Sequence, residues 1–258
     1  MMKNITISLL MSFVLILACN MPAPPEKRII KEKYNYIILL DLSDRIIVQD
    51  NQPARDTEII HFIYRLFEEK VKKDLYIKSR DEIKVVVAPQ MGAGIPTQNF
   101  EDKLYINMKN IDLVKRRKKE AERRQNFFAT LDQLYKKAQF SKIPTDYYGA
   151  DIWKYFYEDL KEDYSRDTLT KNFLIILTDG YPVVGKDREK LQPIKNKFPD
   201  LNVIIVEAAP TEKDMEWDRI TGIWSQWFDE IGISKYTLIK RTAISKEKEQ
   251  IEDIINGK

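Results

Sequence analysis

The sequence predicts an α/β domain: a doubly wound, mainly parallel six-stranded sheet with helices on both faces and one antiparallel edge strand. Three observations lead there. Ile37, Ile38, Leu39 and Leu40 are a short apolar run that empties into Asp41, the pattern of a strand buried on both faces whose carboxyl end opens on a polar site. Residues 173–180 repeat the design, with Thr178, Asp179 and Gly180 closing the run. Between and beyond them, strand-like and helix-like stretches alternate, which argues for parallel strands joined by covering helices.

Taken in order, the first strand (36–40) is followed by a helix expected over 57–72, with Asp56 as its N-cap. That helix gathers Ile59, Ile60, Phe62, Ile63, Leu66, Phe67 and Val71 on one side. The only histidine, His61, falls nearly opposite and reads as solvated. The β-branched stretch 83–88 is the second strand and stops at Pro89. Residues 90–99, with Gly92, Gly94 and Pro96, read as a loop: their Gly-x-Gly lacks both the full dinucleotide spacing and a Gly-Lys-Ser/Thr ending. Residues 104–108 are the expected antiparallel edge. One long helical pattern runs over 111–140, with seven basic and two acidic residues between Lys115 and Arg124. Its plain reading is a solvated face with Glu120–Arg124 and Arg116–Glu120 pairs; its sharper one is contact with anionic lipid headgroups. After the loop 141–149, a helix from about Ala150 buries Ile152, Trp153, Phe156, Tyr157 and Leu160. The fourth strand is followed by a helix over 186–198, a strand over 201–209, and a helix over 213–231 with Ile220, Ile223, Trp224, Trp227, Phe228 and Ile231 on one arc. A strand at 236–240 and a helix at 246–255 complete the pattern.

Composition sets the outer limits. The 258 residues are 43% hydrophobic, enough for one large core. Lys and Arg number 43 against 40 Asp and Glu, so no strong basicity points to nucleic acid. The one cysteine, Cys19, excludes an internal disulfide and any multi-cysteine metal site.

Cys19 has another use. Lys3 precedes an apolar run over 5–17, shorter than a bilayer span but suited to a secretory signal. Ile16-Leu17-Ala18-Cys19 then looks like a bacterial lipobox, with Leu17 departing from the small residue usual there. The expected organisation is a signal peptide over 1–18, a lipidated Cys19 with a proline-rich tether over 19–33, and the α/β domain over 34–258. Acyl chains such as palmitate at Cys19 would anchor the chain to a membrane, and the stiff tether, with Pro22, Pro24 and Pro25, would lift the domain off it. The expected location is the bacterial cell envelope, facing the periplasm.

The two strand ends, Asp41-Leu42-Ser43-Asp44-Arg45 and Leu177-Thr178-Asp179-Gly180, in this order resemble the von Willebrand factor A family over about residues 34–256. The resemblance implies a metal-ion-dependent adhesion site: Asp41, Ser43, a threonine matched by Thr145, and Asp179 around Mg²⁺ or Mn²⁺, with an acidic side chain of a cell-envelope protein partner completing the shell. Asp146 and Asp151 stand near enough in sequence to be alternative ligands. The family's second serine is Arg45 here, and Asp44 and Arg45 would modulate the site. A guanidinium offers no lone pair to a metal. Either Arg45 turns outward and the ion keeps more waters, or its charge takes the metal's place between Asp41 and Asp179. The implied function is a non-enzymatic protein-binding or assembly module. A structural lipoprotein with a degenerate site is the first alternative. A metal-dependent phosphoester hydrolase is the second; its usual second carboxylate would fall at Ser43, with Asp44 one residue out of register.

Overall fold

The structure is a computed structural model that describes residues 31–90, 97–140, 149–181, 194, 197–209 and 217–258. Cys19, the signal and lipobox stretch, the glycines of 90–99, Thr145, Asp146 and most of the helix expected over 186–198 lie outside the described residues.

In chain order the elements are β1 (Lys33–Leu40), a single helical turn Arg45–Val48, α1 (Gln52–Lys73), β2 (Glu82–Val87), β3 (Tyr105–Asn107), α2 (Leu113–Lys118) and α3 (Glu120–Phe140). Three abutting segments, Ile152–Lys154, the π-turn Tyr155–Asp159 and Leu160–Asp163, together make α4. Then come β4 (Thr170–Leu177), β5 (Leu201–Ala208), α5 (Trp217–Glu230), β6 (Lys235–Lys240) and α6 (Ile244–Asn256). The six strands form one sheet in the order β3-β2-β1-β4-β5-β6. All pairings are parallel except β2 with β3, where Ile83 faces Ile106 across the antiparallel edge.

Alternation along β1 sends side chains into two cores, as a strand covered on both sides requires. Tyr36, Ile38 and Leu40 pack with α1, α3 and α6, through Ile59, Ile63, Phe127, Leu131 and Ile251. Ile37 and Leu39 pack with α4 and α5, where Trp153 lies 4.4 Å from Trp224 and 4.2 Å from Trp227, ring centre to ring centre. The sheet is therefore doubly wound.

The chain leaves β1 toward β2 and β3 on one side and returns to β4 on the other. The order reverses between β1 and β4, and such a switch point opens a crevice at the carboxyl ends of the two strands. Leu40 pairs with Leu177 in register, and the Asp41 N–H donates to the Leu177 carbonyl at 3.0 Å. Asp41 and Thr178–Asp179 are thus neighbours by topology.

Several local expectations are corrected. Helix α1 begins at Gln52, with a proline in its first turn, so Asp56 is an interior helical residue rather than a cap. The long pattern over 111–140 breaks at Lys119 into α2 and α3. The intrahelical pairs expected there give way to long-range ones: Arg124 meets Glu68 at 3.2 Å, and Glu120 meets Lys72 at 3.1 Å. His61 is half-buried, its ring stacked 3.5 Å from Phe128 of α3; burial, with Arg124 and Lys248 nearby, lowers its pKa. In α4 the π-turn adds a residue to the turn, so Tyr155 goes inside while Tyr157 stays half-exposed.

Among the described residues, no helix is long and apolar enough to cross a membrane. The three tryptophans make Trp153 the keystone of the second core. Trp153→Ala is expected to cost about 3–5 kcal/mol, measured as a fall in the urea unfolding midpoint.

Candidate functional site

The crevice between β1 and β4 gathers Asp41, Ser43, Thr178 and Asp179, all buried except a half-exposed edge of Asp179. Asp41 is fixed through both oxygens: Oδ1 accepts from the Ser43 N–H at 2.8 Å and Oδ2 from the Thr178 hydroxyl at 2.7 Å. Asp179 Oδ1 accepts from the Tyr181 N–H at 3.1 Å. The exit from β4 depends on Gly180, whose φ of +90° and whose missing Cβ, which would meet Ala208 Cβ at 3.0 Å, leave little room for another residue. The Trp224 indole N–H holds the Gly180 carbonyl at 2.9 Å, so the second core also positions the rim.

Arg45 takes neither position open to it from the sequence. Its side chain is fully buried and points beneath the rim. Nε donates to the Asp41 carbonyl at 2.9 Å, and Nη2 donates to the Leu177 carbonyl at 2.9 Å and to Asp56 Oδ2 at 2.7 Å. The Asp41 carboxylate is 3.9 Å from Nε, a looser contact. Asp56, also fully buried, takes further donors from Tyr135 (2.9 Å) and Gln52 (2.8 Å). Burial works against the charge of Arg45, but Asp56 and Asp41 outweigh it and raise its pKa. Burial also pushes the Asp56 carboxyl up, against Arg45, Gln52 and Tyr135, which hold it down; the bidentate guanidinium contact makes this an ion pair.

Arg45 is therefore committed to Asp56, and among the described residues the rim carboxylates above it are left short of positive charge. Asp179 registers this: burial first, then the charge of Asp41, push its carboxyl up from 3.8 to about 7, with the Tyr181 N–H and Arg45 only partly opposing. Among the described residues, no three His, Cys, Asp or Glu side chains gather to cage a metal. Among the described residues, the oxygen groups at the rim are two carboxylates and the hydroxyls of Ser43 and Thr178, the latter donated to Asp41. Such hard donors fit Mg²⁺ or Mn²⁺, which accept one or two carboxylates and keep waters for the remaining positions. Asp44 is half-exposed on the turn beside the rim and adds to the negative field at Asp179. Asp151 caps α4, accepting from the Lys154 N–H at 2.8 Å.

Sequence reasoning missed Asp56 as the partner of Arg45. The signal was present: Asp56, Ile59, Ile60 and Ile63 share one helical face, and Pro53 marks a first helical turn. It also missed what lies beyond. Gln52 bridges from Asp56 to Glu207 Oε2 at 3.1 Å. Glu207, the penultimate residue of β5, has a φ of +67° and lies where the β5–β6 register shifts. Arg55 joins Glu207 (2.7 Å) to Glu247 of α6 (2.9 Å), and Arg241 approaches Glu207 at 3.4 Å. Both glutamates are fully buried. Burial raises the Glu207 pKa, but Arg55 and Gln52 more than reverse it and leave it lowered. Burial and the charge of Glu207 push Glu247 up from 4.5 to about 7. Among the described residues, Glu247 Oε2 has no hydrogen-bond partner, which suits a carboxyl proton directed at Glu207.

A separate cavity of about 650 Å³ lies at the opposite end of the sheet, lined by residues such as Tyr164, Thr170, Phe173, Asn202 and Lys235. It takes in none of the rim residues.

The fold and site define an α/β domain with a carboxylate-bearing crevice at its switch point. Comparison with known proteins found no matching family model and no matching curated protein.

Asp56→Asn is expected to destabilise the protein by about 3–5 kcal/mol, because it strands a buried guanidinium. Replacing both partners, as Arg45→Met with Asp56→Leu, should cost much less than the two single changes summed, measured by a double-mutant cycle in urea. The folded protein holds a proton on Glu247 that the unfolded chain releases above about 4.5. The stability from Glu247 is therefore complete below that pH and is lost as pH rises through about 7. Glu247→Gln should flatten the fall in urea midpoint across this window.

Proposed function

We propose that this chain is a von Willebrand factor A-like, non-enzymatic binding module, held on a bacterial membrane by a lipid at Cys19. It presents the rim of its sheet to a cell-envelope protein. One observation carries the reading: Asp41 and Asp179 stand side by side at the switch point while Arg45, the cation nearest to them among the described residues, is turned away to Asp56. The guanidinium does not fill the crevice, and its charge is spent below it. A Mg²⁺ or Mn²⁺ ion would be held by Asp41, Ser43 and Asp179, and when bound it supplies a Lewis-acidic position for an acidic side chain of the partner. The residues themselves orient the donors: the Thr178 hydroxyl and the Ser43 N–H lock the Asp41 rotamer, and Tyr181 fixes Asp179.

A second reading, a structural lipoprotein whose rim only braces its loops, is favoured by the same two bonds to Asp41, since both of its oxygens already have donors. Metal titration separates the two. On the binding reading, Mg²⁺ or Mn²⁺ at ten times its Kd stabilises the folded chain by about 1.4 kcal/mol. That corresponds to a rise in Tm of about 3–6 °C for a domain of this size. The shift should vanish in Asp41→Asn and Asp179→Asn, and pull-down from membranes should lose the partner in the same variants. A wild-type Tm indifferent to both ions would leave the bracing role.

A further inference from the structure

The end of the domain opposite the rim carries an unusual surface. Leu75, Ile77, Leu113 and Val114 are 68%, 62%, 56% and 65% exposed. They come from two places in the chain, the loop after α1 and the first turn of α2. Arg116 fastens these together: its side chain is buried and donates to the carbonyls of Tyr76 (3.1 Å), Ile77 (2.7 Å), Ser79 (3.1 Å) and Ile111 (3.0 Å). It is the one buried residue of α2, so the remainder of that helix is turned to solvent. The loop backbone is held in an unusual shape, with φ of +54° at Leu75 and +59° at Tyr76. Non-glycine residues take that conformation at a conformational cost. Its effect is to tuck Tyr76 against the core, with its hydroxyl on Glu120 at 2.9 Å, and to leave Leu75 and Ile77 outside on either side.

Around these four apolar side chains lie Lys73, Lys78, Lys109, Lys115, Arg117 and Lys118, all exposed. Among the described residues none of the six makes an ion pair with a carboxylate. Of the nearby acids, Asp112 is engaged in capping α2 through the Val114 N–H at 3.0 Å, and Asp74 is half-buried. The polypeptide also begins β1 at this end, where the Tyr34 N–H donates to Asp81 Oδ1 at 2.8 Å. Asp81 is the residue just before β2. The first residues of β1 therefore lie beside the loop that Arg116 holds and away from the rim.

We propose that this end of the domain docks directly on an anionic lipid surface, with Leu75, Ile77, Leu113 and Val114 entering the headgroup boundary and the six cations facing lipid phosphates. Apolar side chains ringed by unpaired lysine and arginine are the chemistry of an interfacial contact, in which buried apolar area and attraction to anionic headgroups act together. A partner protein would be expected to match such apolar residues with a groove and to pair fewer cations. The docking supplies the second of two membrane signals, the lipid at Cys19 being the first, and only the orientation of the domain rests on that anchor. The Asp41–Asp179 rim takes no part and faces away.

Hydrogen–deuterium exchange of the full chain on vesicles tests this. On phosphatidylglycerol–phosphatidylcholine vesicles, amides over 75–78 and 113–118 should exchange about threefold or more slower than on phosphatidylcholine alone, and raised salt should remove the difference. Lys115→Glu with Lys118→Glu should abolish the slowing while exchange in β1 and β4 stays as in the wild type, which shows the variant folded. Equal exchange on both vesicle types overturns the proposal. Slowing that follows protein concentration without vesicles also overturns it, in favour of contact between copies. Protection at 41–45 and 178–181 is read separately and reports only on the rim.

Discussion

The rim depends on an ion pair that is not part of it. Arg45 and Asp56 meet at 2.7 Å with no exposure to solvent, and around them converge the Asp41 and Leu177 carbonyls, Tyr135 of α3 and Gln52 of α1. Taking two charges out of water is expensive, and the cost is recovered only when geometry is good and every donor is used. Here three guanidinium nitrogens have acceptors and both Asp56 oxygens have donors. The pair therefore fixes where β1, β4, α1 and α3 stand relative to one another. The two strand ends that carry Asp41 and Asp179 hang from the same guanidinium.

This has an electrostatic consequence for the crevice. A cation midway between Asp41 and Asp179 would neutralise both and close the site. A cation below them, held by a third carboxylate, leaves the upper pair in excess negative charge among the described residues, inside a poorly solvated pocket. A carboxyl in that setting takes up a proton more readily, as Asp179 does. The same deficit attracts a hard cation, and proton and ion would then compete for one position. Charge neutralisation of the same kind recurs at the far end of the network, where Arg55 is shared between Glu207 and Glu247, Arg241 adds to Glu207, and Glu247 is pushed toward its protonated form.

Much of the scaffold was legible in the sequence. The six strands, their parallel order and the antiparallel edge follow from apolar runs with abrupt polar ends, because burial on both faces tolerates few other side chains. Asp41 and Asp179 were legible as neighbours because each ends a central strand. The direction of Arg45 was not, since a side chain four residues past the strand can turn either way until its partner is known. That partner was obscured by the start of α1: with the helix begun at residue 57, Asp56 reads as a cap. Begun at Gln52, the helix puts Asp56 on the buried face with Ile59 and Ile63. Tyr155 was missed for a related reason, as a π-turn breaks the 3.6-residue period on which a helical face is read. The break at Lys119 follows from Arg116, whose bonds to the carbonyls of Tyr76, Ile77 and Ser79 tie α2 to the loop before β2. Those contacts join residues distant in sequence.

The two ends of the sheet differ for a reason rooted in parallel topology. In a parallel sheet all carboxyl ends of the strands lie on one side, so turns that leave strands, with their Asp, Ser and Gly, collect at the rim. Turns that enter strands collect at the base, together with the start of β1. The rim is lined by acids held in place by core groups, Trp224 on the Gly180 carbonyl and Arg45 on the Asp41 carbonyl. The base carries the exposed apolar and basic patch, held by Arg116 on the Ile77 and Ser79 carbonyls and by Asp81 on the Tyr34 N–H and the Ser79 hydroxyl. On the proposed docking, an anionic surface would attract the cations around Leu75, Ile77, Leu113 and Val114, while Asp41 and Asp179 stand at the opposite ends of the strands.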